Sequence, residues 1–321
     1  MPVIVANGLT KRFGGFTAVS KLNLSINEGE IFGLLGPNGA GKTTTLSMLA
    51  TLIPPSEGKA YVNGYEVSKQ PSEVRHSIGF VFQDPSSDDM LTGRENLYLH
   101  ALMYGVDMKK ANKKIDDVLK LVDLTEKQNI RMKNYSGGMR RRLELARGLL
   151  HEPKVLFLDE PTLGLDPQTR EHLWKYITKL ASEKKVTITI TTHYMEEADM
   201  LCNRIAIIDH GKIVAMGTPE SLKRKLGGDV VRLKVAKPNI AALKRLGYVR
   251  NIKVDGGYLT LTVSDAGSHL QEILKKVGSV DGVELRSPTL NDVFLHYTGR
   301  EIREEAGEGG TFERMMHRGN R

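Results

Sequence analysis

The eight residues GPNGAGKT, Gly36 to Thr43, follow directly on the apolar run IFGLL, Ile31 to Leu35. A short apolar run bounded by turn-forming residues reads as a buried strand. Gly, four residues, Gly-Lys-Thr immediately after it prescribes strand, phosphate-binding loop and helix, in that order. The glycines allow backbone conformations that turn N–H groups inward on a phosphate. The helix that follows begins at the phosphates and adds its positive dipole end. Lys42 is expected to reach the outer phosphates and the Thr43 hydroxyl to hold Mg²⁺. Gly36, Pro37, Asn38, Gly39, Ala40, Gly41 and Thr44 complete the loop. A chance glycine-rich turn would not come with the strand, the helix and the Lys-Thr pair together, so the chain is expected to bind a nucleoside triphosphate.

A phosphate loop leaves kinases, GTPases, helicases and transport ATPases open, and composition narrows the field little. The 321 residues leave room for two domains. Hydrophobic content of 40% and charged content of 26% are those of an ordinary folded protein. No run of about 18 apolar residues is present to cross a bilayer, and the opening MPVIVANGLTKRF lacks the pattern of a signal peptide. Cys202 is the single cysteine, which excludes an intrachain disulfide and fits a reducing cytosol. A net charge of +8 favours anionic partners without choosing among nucleotides, lipid headgroups and nucleic acid.

Three further segments end on polar residues. In KVLFLDEPTLGLDP, Lys154 to Pro167, a strand-like run closes on Asp159 and Glu160. Asp at such a strand end suits Mg²⁺, and the next carboxylate suits orienting a water towards the γ-phosphate. The β-branched run VTITITTH, Val186 to His193, ends in a histidine able to bond that phosphate. The strand-like GFVFQ ends at Gln83, which by itself carries no weight. In KNYSGGMRRRLELARGLL, Ser136 reads as an N-cap before Gly137 and Gly138, and Met139, Leu143, Ala146 and Leu150 fall on one helix face. Serine and glycine N–H groups at a helix start make an anion site. The helical period spreads Arg140, Arg141 and Arg142 around the helix, so they read as solvated or ion-paired rather than as a nucleic-acid stripe.

Taken together these segments resemble the nucleotide-binding subunit of ATP-binding cassette (ABC) transporters, over about residues 3 to 225. The resemblance implies Walker A at Gly36–Thr43, a Q-loop at Gln83 that also meets Mg²⁺, and a signature at Tyr135–Met139. It further implies Walker B at Val155–Asp159, catalytic Glu160, a D-loop through Asp166, a switch histidine at His193 and an adenine-stacking aromatic at Phe13, with Phe16 as its rival. The signature departs from the common LSGGQ at Tyr135 and Met139. In such proteins Ser136, Gly137 and Gly138 would close the ATP site of a second copy, or of a like subunit, so a dimer over two MgATP is implied.

The implied fold is α/β: a P-loop ABC cassette with a RecA-like core, an antiparallel β subdomain and a helical subdomain at about 84–150, the whole spanning 1–226. Thr92 to Glu95 reads as a capping box opening one helix of that insert, and Ala111, Ile115, Val118, Leu119 and Val122 line a second. From residue 227 to 304 the order strand-helix-strand-strand-helix-strand points to a small ferredoxin-like α+β domain with a binding or structural role. Ser287 to Glu304 resembles the end of daunorubicin-resistance ABC ATPases, subunits of ABC-2-type exporters whose permease is a separate integral membrane chain. The tail, 305–321, is charged, Gly-rich and expected to be disordered. The expected function is ATP hydrolysis driving export at the cytoplasmic face of the membrane. The rival is a soluble ABC ATPase acting on nucleic acid or protein complexes, against which the exporter-like C-terminal segment weighs.

Overall fold

The computed structural model describes residues 1–235 and 238–299. The chain divides into two compact units, the first running from Met1 to Met216 and the second starting at Gly217. The helix Pro219–Lys225 therefore belongs to the second unit, where it packs on the helix Leu290–Thr298. The boundary expected from sequence, 226/227, falls after that helix, whereas the observed one precedes it. The expected disordered tail lies outside the described residues.

The first unit is built on two sheets. One is antiparallel, in the order Phe16–Asn27, Pro2–Phe13, Glu57–Val62, Tyr65–Glu66. The other has six strands in the order Lys212–Gly217, Arg204–Asp209, Ile31–Leu35, Thr187–Thr192, Val155–Asp159, Ile78–Val81. Its central pairs are parallel, with Leu34 opposite Thr191 and Asp159 opposite Thr191 on the other side. Ile31–Leu35, Val155–Asp159 and Thr187–Thr192 are buried at every position. This is why they read as continuous apolar or β-branched runs rather than alternating ones. The helix Lys42–Leu49 and both sheets share a core that includes Ile4, Leu24, Phe32, Leu46, Leu49 and Phe157.

The helical insert follows its sequence signals closely. The Thr92 hydroxyl accepts from the Glu95 N–H at 3.2 Å, and the Glu95 carboxylate accepts from the Thr92 N–H at 2.7 Å, a complete capping box opening the helix Gly93–Met103. Ala111, Ile115, Val118 and Leu119 are the buried face of Met108–Leu121. The third helix, Gly137–Leu149, is capped by Ser136, whose hydroxyl accepts from the Met139 N–H at 3.2 Å. Among the described residues no helix is long and apolar enough to cross a membrane.

The second unit has its own core, including Val231, Leu233, Leu259, Leu261 and Ile273. Its four strands are ordered Val249–Asp255, Tyr258–Val263, Asp229–Lys234, Gly282–Arg286, antiparallel throughout. With the helices Ile240–Leu243 and Ala266–Val277 in the first and second crossovers, this is the ferredoxin-like β-α-β-β-α-β arrangement. The first of those helices is a single turn.

Candidate active site

The parallel sheet carries three neighbouring strands, Ile31–Leu35, Thr187–Thr192 and Val155–Asp159, to one common edge. Ligands in open α/β sheets bind beyond the carboxyl ends of the strands, and Lys42, Thr43, Asp159, Glu160 and His193 gather there. The loop from Gly36 to Gly41 is sterically tight at both ends. A Cβ on Gly36 would collide with the Ile208 carbonyl oxygen, and Gly41 sits at φ 104°, a left-handed conformation glycine adopts readily.

Lys42 is 4% exposed, and its Nζ donates to the carbonyl oxygens of Gly36 at 2.9 Å and Pro37 at 3.1 Å. The same Nζ lies 3.3 Å from Glu160 Oε1. Burial lowers the lysine pKa, opposed by the Glu160 and Asp159 carboxylates. Thr43 Oγ1 donates to Asp159 Oδ1 at 2.9 Å, so two hard oxygen donors converge where Walker A meets Walker B. Oxygen donors of this kind suit Mg²⁺, which keeps waters and shares substrate phosphates. Burial raises the Asp159 pKa, offset by hydrogen bonds from Thr191 and Thr43.

Glu160 is buried and its backbone is left-handed at φ 45°. For a side chain with a Cβ such a conformation costs on the order of 1–3 kcal/mol and persists where the surroundings impose it. Here the Glu160 N–H donates to the Thr191 hydroxyl at 2.9 Å. Glu160 Oε2 stands 3.2 Å from His193 Nδ1, within ion-pair range of a protonated ring, although the two atoms are not aligned as a hydrogen bond. Burial pushes the Glu160 carboxyl up, but His193 and Lys42 together outweigh it and hold the pKa below the ordinary value. An ionised carboxylate in this position can orient and polarise a water.

The remaining expected residues lie on surrounding segments. Gln83 is exposed just beyond the strand Ile78–Val81. Asp166 caps the helix Pro167–Lys184, accepting from the Thr169 N–H at 3.0 Å. Phe13 and Phe16 face each other across the first hairpin and are 39% and 57% exposed, so neither is the core aromatic that would remove it from consideration. Ser136 and Gly137 are exposed at their helix start. Tyr135, where leucine is commoner, is buried, and its hydroxyl donates to the Lys127 carbonyl at 2.9 Å.

Two residues escaped the sequence reading. Thr191, inside a β-branched strand, binds both Asp159 and the Glu160 N–H. Arg141 is not solvated: it is 6% exposed and bonded to main-chain carbonyls. Its neighbours behave as expected of charged surface residues, Arg140 pairing with Asp89 and Arg142 lying 3.6 Å from Asp123.

Comparison with known proteins identifies the family. A family model described as ABC transporter matches residues 19–163, and one described as ATP-binding protein DrrA1-3-like, C-terminal domain, matches 217–298. The linearmycin resistance ATP-binding protein LnrL of Bacillus subtilis (strain 168) is 37% identical over 312 residues, covering 94% of this chain and 100% of that protein. The chain belongs to the ABC transporter ATP-binding family. This ABC ATPase is also 38% identical to the daunorubicin resistance ATP-binding protein DrrA3 of Streptomyces coeruleorubidus, over 94% of this chain and 98% of that one. The Nod factor export ATP-binding protein I of Rhizobium sp. (strain N33) is 38% identical, over 92% and 96% of the two chains. Among solved structures, the ATP-binding cassette MJ0796 in a dimeric post-hydrolysis state bound to ADP and Pi superposes with a TM-score of 0.61 and 28% identity. That match covers 67% of this chain and 98% of the other.

Proposed function

We propose that this ABC ATPase is the motor subunit of an ABC-2-type exporter, closing as a dimer over two MgATP and driving a separate integral membrane permease. The observation that carries the reading is the convergence of Lys42, Thr43, Asp159, Glu160 and His193 at one sheet edge, together with a helix start at Ser136-Gly137-Gly138 whose Ser136 and Gly137 are exposed. Lys42 and the loop N–H groups bind the phosphates, and His193 holds the γ-phosphate. Glu160 accepts a hydrogen bond from the attacking water, and Ser136 with the glycines of a second copy completes the site. Thr43 and Asp159, joined by Gln83, would hold Mg²⁺, which would neutralise charge on the transferred phosphoryl group. The protein's contribution is positioning and fixed electrostatics.

A membrane partner is supported by the helical insert, which exposes Leu99, Leu102 and Met103 at 45%, 50% and 73%. Apolar side chains clustered on one exposed helix mark an interaction surface. The relatives are named for linearmycin, daunorubicin and Nod factor, chemically unlike molecules, which supports placing substrate selectivity in the permease. The protein would then work at the cytoplasmic face of the membrane.

The test is Glu160→Gln. It should keep MgATP binding, lower turnover by about 100-fold or more, and accumulate an ATP-dependent dimer on size-exclusion chromatography. Turnover near the wild-type rate would remove Glu160 from the reaction. Co-expression with a candidate permease, followed by solubilisation, should recover both chains together. A protein found wholly in the soluble fraction with such a permease present would favour the soluble rival.

A further inference from the structure

Arg141 stands one turn into the helix that Ser136 caps, and its side chain runs inward, 6% exposed. Nε donates to the Pro161 carbonyl at 2.6 Å and Nη2 to the Asp159 carbonyl at 2.9 Å. Nη1 donates to the carbonyl oxygens of Phe82 and, at 3.2 Å, Gln83. The four acceptors belong to two segments. Asp159 and Pro161 bracket Glu160, and Phe82 and Gln83 lie just beyond the strand Ile78–Val81.

A guanidinium is the side chain suited to this task, because its planar fork presents five donors in fixed directions. Burial brings the Arg141 pKa down to about 10, which leaves it a cation at neutral pH. Burying a cation is costly, and a well-packed apolar residue of similar volume is often no worse for stability. Plain packing is therefore a poor reason for an arginine here. Its donors instead meet main-chain atoms on either side of a residue whose own backbone is held at φ 45°.

We propose that Arg141 is a positioning residue that ties the Glu160 turn and the Gln83 loop to the helix bearing Ser136-Gly137-Gly138. A displacement of any one of the three is thereby imposed on the other two. The inference rests on the reading that this helix start closes the ATP site of a second copy. On that reading, Arg141 links the state of a subunit's own catalytic turn to the group it offers its partner's nucleotide.

Arg141→Lys keeps the charge, but a point cation cannot span four carbonyls in two segments. MgATP affinity of the isolated subunit, measured by displacement of a fluorescent ATP analogue, should stay within about twofold, while kcat per nucleotide-binding site falls about tenfold or more. In the Glu160→Gln background, Arg141→Lys should raise the ATP concentration needed for dimerisation by about tenfold. Arg141→Gln, which restores a planar donor group, should recover part of both losses. Wild-type kcat and dimerisation in Arg141→Lys, or losses that track a lowered melting temperature and lowered ATP affinity, would overturn the proposal.

Should neither variant fold, hydrogen exchange on the wild-type protein titrated with MgATP decides. Protection at 82–84, 159–162 and 136–142 should change with one shared midpoint, and separate midpoints would refute the coupling. Ser136→Glu in the Glu160→Gln background tests the parent reading separately. If it still dimerises with ATP, the cross-subunit role of the signature fails whatever Arg141 does.

Discussion

The Tyr135 hydroxyl occupies the space that a Cβ on residue 93 would need, so Gly93 and Tyr135 are a matched pair. The tyrosine hydroxyl is held there by its bond to the Lys127 carbonyl. Gly93→Ala should destabilise the protein by about 1–3 kcal/mol through overpacking, and Tyr135→Phe by about 1 kcal/mol through the lost hydrogen bond. The double variant should cost less than the sum, because phenylalanine vacates the contested space. A double-mutant cycle in urea measures the coupling, and strict additivity would contradict the match.

Thr191 predicts a catalytic defect without a change of shape. Valine at this position fills the same volume but loses the bond to Asp159 and one of the two acceptors of the Glu160 N–H, the Thr191 carbonyl at 3.2 Å remaining. Thr191→Val should lower kcat about tenfold and raise the Mg²⁺ concentration needed for half-maximal ATPase, whereas Thr191→Ser should stay near wild type. The hydroxyl favours the ionised form of Asp159, so its loss lets that carboxyl rise further. The acid limb of the ATPase pH profile should therefore move to higher pH.

His100 predicts a stability profile rather than an activity profile. Burial, with Arg147 and His151 nearby, pushes its pKa from 6.5 to about 3, and burial also lowers that of His151. The unfolded chain then binds more protons than the folded one in this window. Stability is full above about 6.5 and falls as pH drops towards about 3. His100 alone should contribute a loss of about 1.4 kcal/mol for each pH unit below that upper value. Denaturant melts between neutral and mildly acid pH should show the slope, and His100→Phe should flatten it. An unchanged slope would mean that His100 titrates as in the unfolded chain.

The two exposed aromatics of the first hairpin can be told apart by affinity. Phe13→Ala should weaken ATP binding about tenfold, the scale of a stacking contact, while Phe16→Ala should leave it within about twofold. Equilibrium titration with MgATP gives both values, and the reverse ranking would reassign the adenine contact to Phe16.

Much of this was legible in the chain itself, for identifiable reasons. The phosphate loop follows a fixed spacing between two glycines, a lysine and a threonine, and the buried strands beside it betray themselves as unbroken apolar runs. Strand-end acids then fall at one sheet edge by topology alone. The capping box at Thr92 was visible because cap chemistry is local, and the second unit's succession of strands and helices because each element carries its own pattern. Arg141 and Thr191 were not. Helical period says which residues share a face, not which face meets the carbonyl ends of other strands, so a buried arginine looks like its exposed neighbours. Thr191 looks like any β-branched strand residue, its hydroxyl's partners being 31 and 32 residues away in sequence. The unit boundary at Gly217 was missed because the helix Pro219–Lys225 continues a hairpin in sequence yet packs with a helix near residue 290.

The left-handed backbone at Glu160 separates two things that active sites usually combine. The unfavourable conformation resides in φ, where any residue with a Cβ pays a similar penalty, and the backbone N–H that ties the turn to Thr191 is present whatever the side chain. Chemistry at this position can therefore be silenced while the architecture is inherited unchanged. A glutamine there would be a faithful cast of the working turn, which makes position 160 a natural place to stop this motor in mid-stroke without dismantling it.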